Sequence, residues 1–340
     1  MATLHFFNPE HDLALAVGAG PYTPPGEVVK LRKEFSLLPA TYAASSDFIM
    51  LPPEVKENEI DSLRWYDKVQ EKSIRLITYQ ESGNQLPEIT HVRPWGWDHA
   101  VRQQFLNLGI PQSLMPDTKE IESIRRLSHR RMAISFRKEM ENITGKPTAY
   151  SDRELFSISE VEEFLKSYPI SYFKAPWSSS GRGIVVSDHI SHKGLLEWAH
   201  GVIKKQGSVI AEEAWPRVFD FATEWWIENR KAEFIGYSVF QTSSRGKYHG
   251  NIEDSQPALI DIIRRNVSYW HPDILQAQRE TLDKLISAEY SGPLGIDMFV
   301  DTMGNINTCV EINLRLTMGF IAIEKGRERL QTKPVSKRSL

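Results

Sequence analysis

The 340-residue sequence has a single cysteine, Cys309, so no disulfide can close within the chain. Cys309 lies in an apolar strand pattern and reads as a small core residue. The chain has little net charge, −3, and so nothing global draws it to nucleic acid or to an anionic membrane. It has no apolar run of membrane-spanning length free of charges. Its first residues, MATLHFFNPEHD, lack the basic stretch and long apolar segment of a secretory signal. A cytoplasmic protein without nucleic-acid or membrane partners is the expectation, and the sequon Asn142-Ile143-Thr144 then carries no meaning. The ten histidines are scattered without metal-binding spacing. No internal repeat and no low-complexity segment is present. Nothing suggests a Ser-His-Asp or Cys-His nucleophile.

What is present is ordinary globular material: 41% hydrophobic, 25% charged and 10% aromatic residues. The length exceeds what one core usually serves, so two or three lobes are expected. Basic residues cluster at Arg125 to Arg131 and again from Lys325 to Arg338. Leu4 to Phe7 predicts a strand running into a helix capped by Asn8, with Pro9 at its first position. Strands are predicted near Phe48 to Met50 and Ile74 to Thr78. Pro111 and Pro116 mark a boundary. Asp117 caps a helix with the stripe Ile121, Ile124, Leu127, and Ser128 begins another with Met132, Phe136 and Met140. Ser159 to Glu162 has the capping-box pattern. Strands follow at Ile170 to Ala175, Gly183 to Ser187 and Ser208 to Glu213, with a helix from Ser191 to Gly207 between the last two. Two hairpins, Glu224–Glu228 with Ala232–Phe240 and Leu294–Asp301 with Asn305–Asn313, flank a helix opened by Pro272.

The second hairpin carries the strongest chemical signal, GIDMFVDTMGNINTCVEINLR. Side chains alternate along a strand, so Glu311 and Asn313 share a face with Cys309 and Asn307. A turn centred on Met303-Gly304 places Asp297 opposite Glu311, about 5 Å away at Cβ. Two carboxylates that close repel, and a divalent cation removes the conflict. Magnesium takes oxygen ligands of this kind and completes its shell with water or phosphate. A solvated strand face is the bland alternative, but the run is otherwise rich in Ile, Met, Phe and Val.

Lys174 ends a strand, and the loop Pro176-Trp177-Ser178-Ser179-Ser180-Gly181-Arg182 follows. Its glycines let successive backbone N–H groups converge on an anion, and Lys174 adds a point charge. No Gly-Lys-Ser/Thr ends the loop and a strand follows it, so it is neither a Walker loop nor a dinucleotide fingerprint. Gly18-Ala19-Gly20 is a weaker match, broken by Pro21. Val209 to Trp215 is a strand that turns acidic and then aromatic, a segment able to hold adenine through backbone groups. Asp220 could take ribose hydroxyls.

Order and spacing of these elements over residues 117 to 320 resemble the ATP-grasp superfamily. EINLR is similar to the Glu-x-Asn strand of D-alanine–D-alanine ligases, with the following Arg of biotin carboxylases and carbamoyl-phosphate synthetases. The resemblance implies an ATP-grasp fold, two α+β lobes gripping ATP, preceded by an α/β domain: residues 1–116 for that domain, 117–325 for the ATP-grasp domain (lobes 117–213 and 214–325), and 326–340 as a polar, mobile tail. It makes Asp297, Glu311 and Asn313 the ligands of Mg²⁺, or of Mn²⁺ in its place. Lys174 becomes a phosphate contact, with Ser179, Ser180, Gly181 and Gly183 in a lid over the phosphates. Glu212, Glu213, Ala214 and Trp215 form the adenine hinge, Asp220 is the ribose acid, and Arg315 faces the transferred phosphoryl group or the acidic substrate. Arg130 stands where the family usually has a lysine, with Arg131 close behind.

The activity implied is ATP- and Mg-dependent ligation: a small carboxylate is activated as an acylphosphate for attack by an amine or similar nucleophile. A small-molecule kinase of the same fold and a non-catalytic ATP-binding protein are the alternatives. Asn8, Glu10 and Asp12, where a strand meets a helix, and Arg245 and Tyr248 in a later polar loop are candidate substrate contacts, with a bland alternative as cap or solvated loop. Arg93-Pro94-Trp95-Gly96-Trp97-Asp98 could shape a pocket. The substrates' identity is not readable, nor is the oligomeric state, with which a homodimer is compatible.

Overall fold

The computed structural model describes residues 2–78, 89–146, 151–178, 183–242, 248–267 and 274–332, with the backbone alone for 329–332. Of the expected site residues, Ser179, Ser180, Gly181 and Arg245 lie outside the described residues, as does Pro272.

The chain opens as an α/β layer. Strands β1 (Thr3–Phe6), β2 (Phe48–Met50), β3 (Arg75–Ile77) and β4 (His91–Pro94) form a wholly parallel sheet in the order β3-β2-β1-β4. Parallel strands need covering on both faces. Leu4, Phe6, Phe48 and Met50 pack on one side with Val101 and Phe105 of α4 (His99–Asn107). Ile49 and Leu51 pack on the other with Leu37 and with Val69 of α3 (Tyr66–Glu71). Helices α1 (His11–Val17) and α2 (Gly26–Glu34) follow β1.

Asn8 does not cap α1. Glu10 occupies the N-cap without a side-chain bond. The Asn8 amide instead donates to Gly96 O at 2.8 Å and Asp98 Oδ2 at 3.1 Å, and accepts from Gly96 N at 3.3 Å. A buried amide satisfies itself on the nearest free backbone, and here that backbone follows β4, a strand the local pattern did not reveal.

Asp117 caps α5 (Thr118–Leu127) as expected, accepting from Lys119 N and Glu120 N, while the Glu120 side chain bonds back to Asp117 N. Helix α6 (Arg131–Thr144) starts three residues later than predicted. The small antiparallel sheet has the order β5 (Asp152–Leu155), β8 (Val209–Glu213), β6 (Ser171–Lys174), β7 (Ile184–Val186), backed by α7 (Ile158–Ser167) and α8 (His192–Gln206). The cap of α7 is Ser157, not Ser159. It accepts from Glu160 N, which places the side chain of Glu160 rather than Glu162 at the strand end.

The large antiparallel sheet has the order β11 (Tyr248–Asn251), β10 (Lys231–Thr242), β9 (Arg217–Glu228), β12 (Gly292–Asp301), β13 (Ile306–Asn313). Its first hairpin is longer than the pattern suggested and turns at Asn229 and Arg230, both at positive φ (51° and 61°). Helices α6, α9 (Gln256–Asn266) and α10 (Ile274–Leu285) share one core with this sheet, including Phe136, Met140, Trp225, Ile263, Leu282 and Leu294. Helix α11 (Met318–Thr332) runs through the start of the expected tail, so residues 326–332 are helical rather than loose. Phe320 and Ile321 of α11 pack against Phe7, Leu38 and Trp95, which ties the parallel-sheet domain to the large sheet. Among the described residues no helix is long and apolar enough to cross a membrane.

Candidate functional site

The two antiparallel sheets, α1 and α6 enclose a cavity of about 810 Å³. Lys174, Glu212 and Glu213 enter from the small sheet; Asp220, Asp297, Glu311 and Asn313 enter from the large one. Arg130, Arg315, Trp215, Tyr248 and Ser178 also line it.

The register of β12 and β13 places Asp297 directly opposite Glu311, as alternation required. It then shifts before Phe299, which faces Asn307. This bulge breaks the alternation, so Cys309 does not share the Glu311 face. It is fully buried in the core, while Val310, Glu311 and Asn313 line the cavity. Burial, and then the facing charge of Glu311, push the Asp297 carboxyl up to about 7, against the opposing Arg315 and the Asn313 amide. Asn313 Nδ2 lies 3.2 Å from Asp297 Oδ2. Among the described residues no group of three or more His, Cys, Asp or Glu side chains is placed to hold a metal ion. The donor set is two carboxylates and an amide, a set that suits magnesium because its remaining ligands are water and phosphate. The conflict between Asp297 and Glu311 is the observation that a cation fits.

Each cation facing the cavity is held by an acid. Lys174 pairs with Glu212, whose ionised form burial opposes but Lys174, Arg137 and Arg130 hold below the usual range. Of the two neighbours, Arg130 lines this cavity: Nη1 donates to Ala175 O and Ser178 Oγ at 2.6 Å, and Nη2 to Glu311 Oε1 at 2.9 Å, whereas Arg131 lines a different cavity. Arg315 reaches Asp12 Oδ2 at 3.0 Å and Asn313 Oδ1 at 2.9 Å. Arg137 pairs with Asp152 and donates to Cys309 O. Asp220 is occupied by Arg217 and by Thr242 Oγ1.

In the segment Glu212 to Trp215, Glu213 N donates to Ser151 O and Ala214 N to Ile170 O, and Trp215 O accepts from Arg217 N. Gly183, at φ +76°, accepts through its carbonyl from Ala175 N at 2.8 Å. A Cβ there would lie 2.9 Å from that of Ser178, so this position requires glycine twice over. Of the substrate candidates, Tyr248 lines the cavity with its hydroxyl on Asn251. Asn8 is spent on the Gly96 loop, and Glu10 is buried against Arg32; neither lines this cavity.

Local pattern assigns no role to the lining residues Arg137 and Glu224, whereas Asp12, a substrate candidate beside Asn8 and Glu10, does line the cavity. Asp12 lies in the first turn of α1, and its partner Arg315 is 303 residues away. Glu224 is fully buried, accepts from Ser238 Oγ at 3.0 Å and Thr317 Oγ1 at 2.8 Å, and is pushed up to about 8 by burial and by Asp297. Gly295 and Gly319 leave room for it, since a Cβ on either would meet its carboxylate oxygens at 2.8 and 1.8 Å. A carboxyl whose folded value is raised binds a proton that the unfolded chain releases near 4.5. Stability therefore falls as pH rises from about 4.5 to about 8. Between pH 7 and 8 the fall is expected to approach ~1 kcal/mol per pH unit. Denaturant unfolding of metal-free protein checks this, and Glu224→Gln should flatten it; an equal slope in the variant would place an ionised Glu224 in the fold.

No known family profile matches the chain, and no curated protein does. Solved structures do. Biotin carboxylase from Campylobacter jejuni, in a β-γ-ATP complex, is 13% identical with a TM-score of 0.53, over 96% of this chain and 71% of that one. The biotin carboxylase domain of Hydrogenobacter thermophilus 2-oxoglutarate carboxylase, with MgADP, is 12% identical with a TM-score of 0.53, over 96% and 68%. Phosphoribosylamine–glycine ligase from Thermotoga maritima is 14% identical with a TM-score of 0.51, over 94% and 70%. With the sheets, cavity and register above, this likeness establishes that the chain has the ATP-grasp fold, preceded by a parallel-sheet α/β domain.

Proposed function

We propose that the chain is an ATP- and magnesium-dependent ligase that activates a small carboxylate as an acylphosphate and passes it to an amine. One observation carries the reading: Asp297 faces Glu311 across β12 and β13, beside Asn313, in the cavity that also holds Lys174, Arg130 and Arg315. Phosphoryl transfer needs positioning and charge neutralisation more than a protein nucleophile, and none of the lining residues need act as one. Asp297, Glu311 and Asn313 would hold the metal, which would supply charge neutralisation to the ATP phosphates.

Lys174 and Arg130 bind the phosphates from the small-sheet side, releasing part of their hold on Glu212 and Glu311. Glu212 to Trp215 flank adenine, and Asp220 stands near the ribose. Arg315, held in place by Asp12, orients the acid. Its carboxylate oxygen bonds to the γ-phosphorus as the bond to the β-phosphate oxygen breaks, releasing ADP. The amine nitrogen then bonds to the acyl carbon, phosphate leaves, and the amine proton passes to solvent. The chain acts as a soluble catalyst on small molecules in this reading, with ATP and Mg²⁺ as its nucleotide and metal.

The test is ADP release across paired mixtures of small acids and amines. The ligase reading requires ADP, phosphate and an amide in equal amounts, dependent on both partners. A stable phosphoester formed without an amine would instead mark a kinase, and ATP binding without ADP release in any mixture a non-catalytic protein.

A further inference from the structure

A second concavity, about 1290 Å³, lies outside the nucleotide cleft. Helices α4 and α5 form its walls, and Trp177 lies in its lining. The basic stretch from Arg125 to Arg131, which the site described above uses only through Arg130, turns its remaining side chains here. Arg102, Lys119, Arg125, Arg126 and Arg131 line the groove, with Glu122 the one carboxylate among its lining residues. In a chain of net charge −3 this is a strong local excess.

The cations are incompletely neutralised. Among the described residues Lys119 and Arg102 make no ion pair. Arg131 lies 3.7 Å from Glu154 and Arg125 3.9 Å from Glu122; Arg126 is closely held by Glu289 at 2.6 Å, and Arg32, also in the lining, by Glu10 and Glu54. Glu122 itself is drawn to His99 Nε2 at 2.6 Å. The Arg125 guanidinium lies 4.3 Å over the Trp177 ring, fixed by its Nε bond to Leu15 O, so the fork is presented rather than mobile. The field is felt nearby: burial and then Arg131, Arg125 and Arg130 push His129 down to about 3. Gln103, Asn107 and Ser123 add neutral hydrogen-bonding groups to the same surface. Like charges gathered in a concavity repel one another, and an anion removes that cost.

We propose that this groove binds a small molecule carrying two or more phosphate or carboxylate groups, at a site separate from the nucleotide cleft. A single-charge anion would leave most of the excess uncompensated, and the volume exceeds the usual range for a ligand pocket. The two cavities share a wall. Arg130 and Ser178 face the cleft, while their chain neighbours Arg131 and Trp177 face the groove. Trp177 Nε1 also donates to Arg125 O at 2.9 Å.

Calorimetric titration of the full chain with tripolyphosphate and with citrate, at low salt and without magnesium, tests the proposal. One-to-one binding is expected for at least one probe; preference for tripolyphosphate assigns a phosphorylated ligand and preference for citrate a polycarboxylate. Lys119→Glu, an exposed position, should weaken that binding by roughly tenfold or more, the worth of one charge-assisted hydrogen bond. Glu122→Gln should tighten it, an outcome misfolding cannot mimic. The double variant Lys174→Met/Glu212→Gln, which removes both members of that ion pair in the cleft, should leave it unchanged. Absence of binding by both probes, or binding that this double variant abolishes and Lys119→Glu spares, would overturn the proposal.

Discussion

Asp297→Asn is expected to lower magnesium-dependent ATP turnover by roughly 10³-fold, the several kcal/mol that a bound metal supplies to developing phosphoryl charge. The same substitution should not lower the stability of the metal-free protein at pH 8. Asp297 sits buried against Glu311, and both effects push it up to about 7, so its ionised form is a cost that asparagine lacks. Loss of activity with equal or greater stability is the signature of a ligand position rather than of a structural one. Glu311→Gln should match it in turnover but differ in stability, because Arg130, itself buried, then loses its carboxylate partner. Steady-state ADP release and denaturant unfolding of both variants give the comparison. Turnover within threefold of the parent in both would remove the metal site.

Lys174→Met has the second large effect, and it has two components. It leaves the partly buried Glu212 without its closest cation, a loss of about 1–3 kcal/mol in stability. It also removes a cation from the phosphates, weakening nucleotide binding by roughly ten- to a hundredfold. The double variant Lys174→Met/Glu212→Gln separates them. Replacing both members should restore most of the stability and none of the nucleotide affinity. If affinity returned together with stability, Lys174 would be a structural partner of Glu212 and no phosphate contact.

The sequence disclosed the parts of the site that depend on local pattern. The Asp297–Glu311 pairing followed from strand alternation about a recognisable Met303-Gly304 turn, and Asp117 announced α5 as its cap. Local pattern failed where a partner lies far away. Asn8 has the residue type of a cap, yet Gly96 and Asp98, 88 and 90 residues on, claim its amide. Cys309 should alternate with Glu311, but the bulge before Phe299 turns it into the core. Glu224 looked like the plain start of a hairpin strand. Its burial comes from Ser238, Gly295, Thr317 and Gly319, which converge from three other elements. Residue order puts Arg130 and Arg131 side by side; the bonds to Ala175, Ser178 and Glu311 place Arg130 in the cavity.

A crystal structure of the chain with a nonhydrolysable ATP analogue and Mg²⁺ tests the central claim most directly. The expected result is a metal ion about 2.1 Å from carboxylate oxygens of both Asp297 and Glu311, bridging to the nucleotide phosphates with Lys174 alongside. A nucleotide lodged away from Lys174, or a metal touching neither carboxylate, would contradict it.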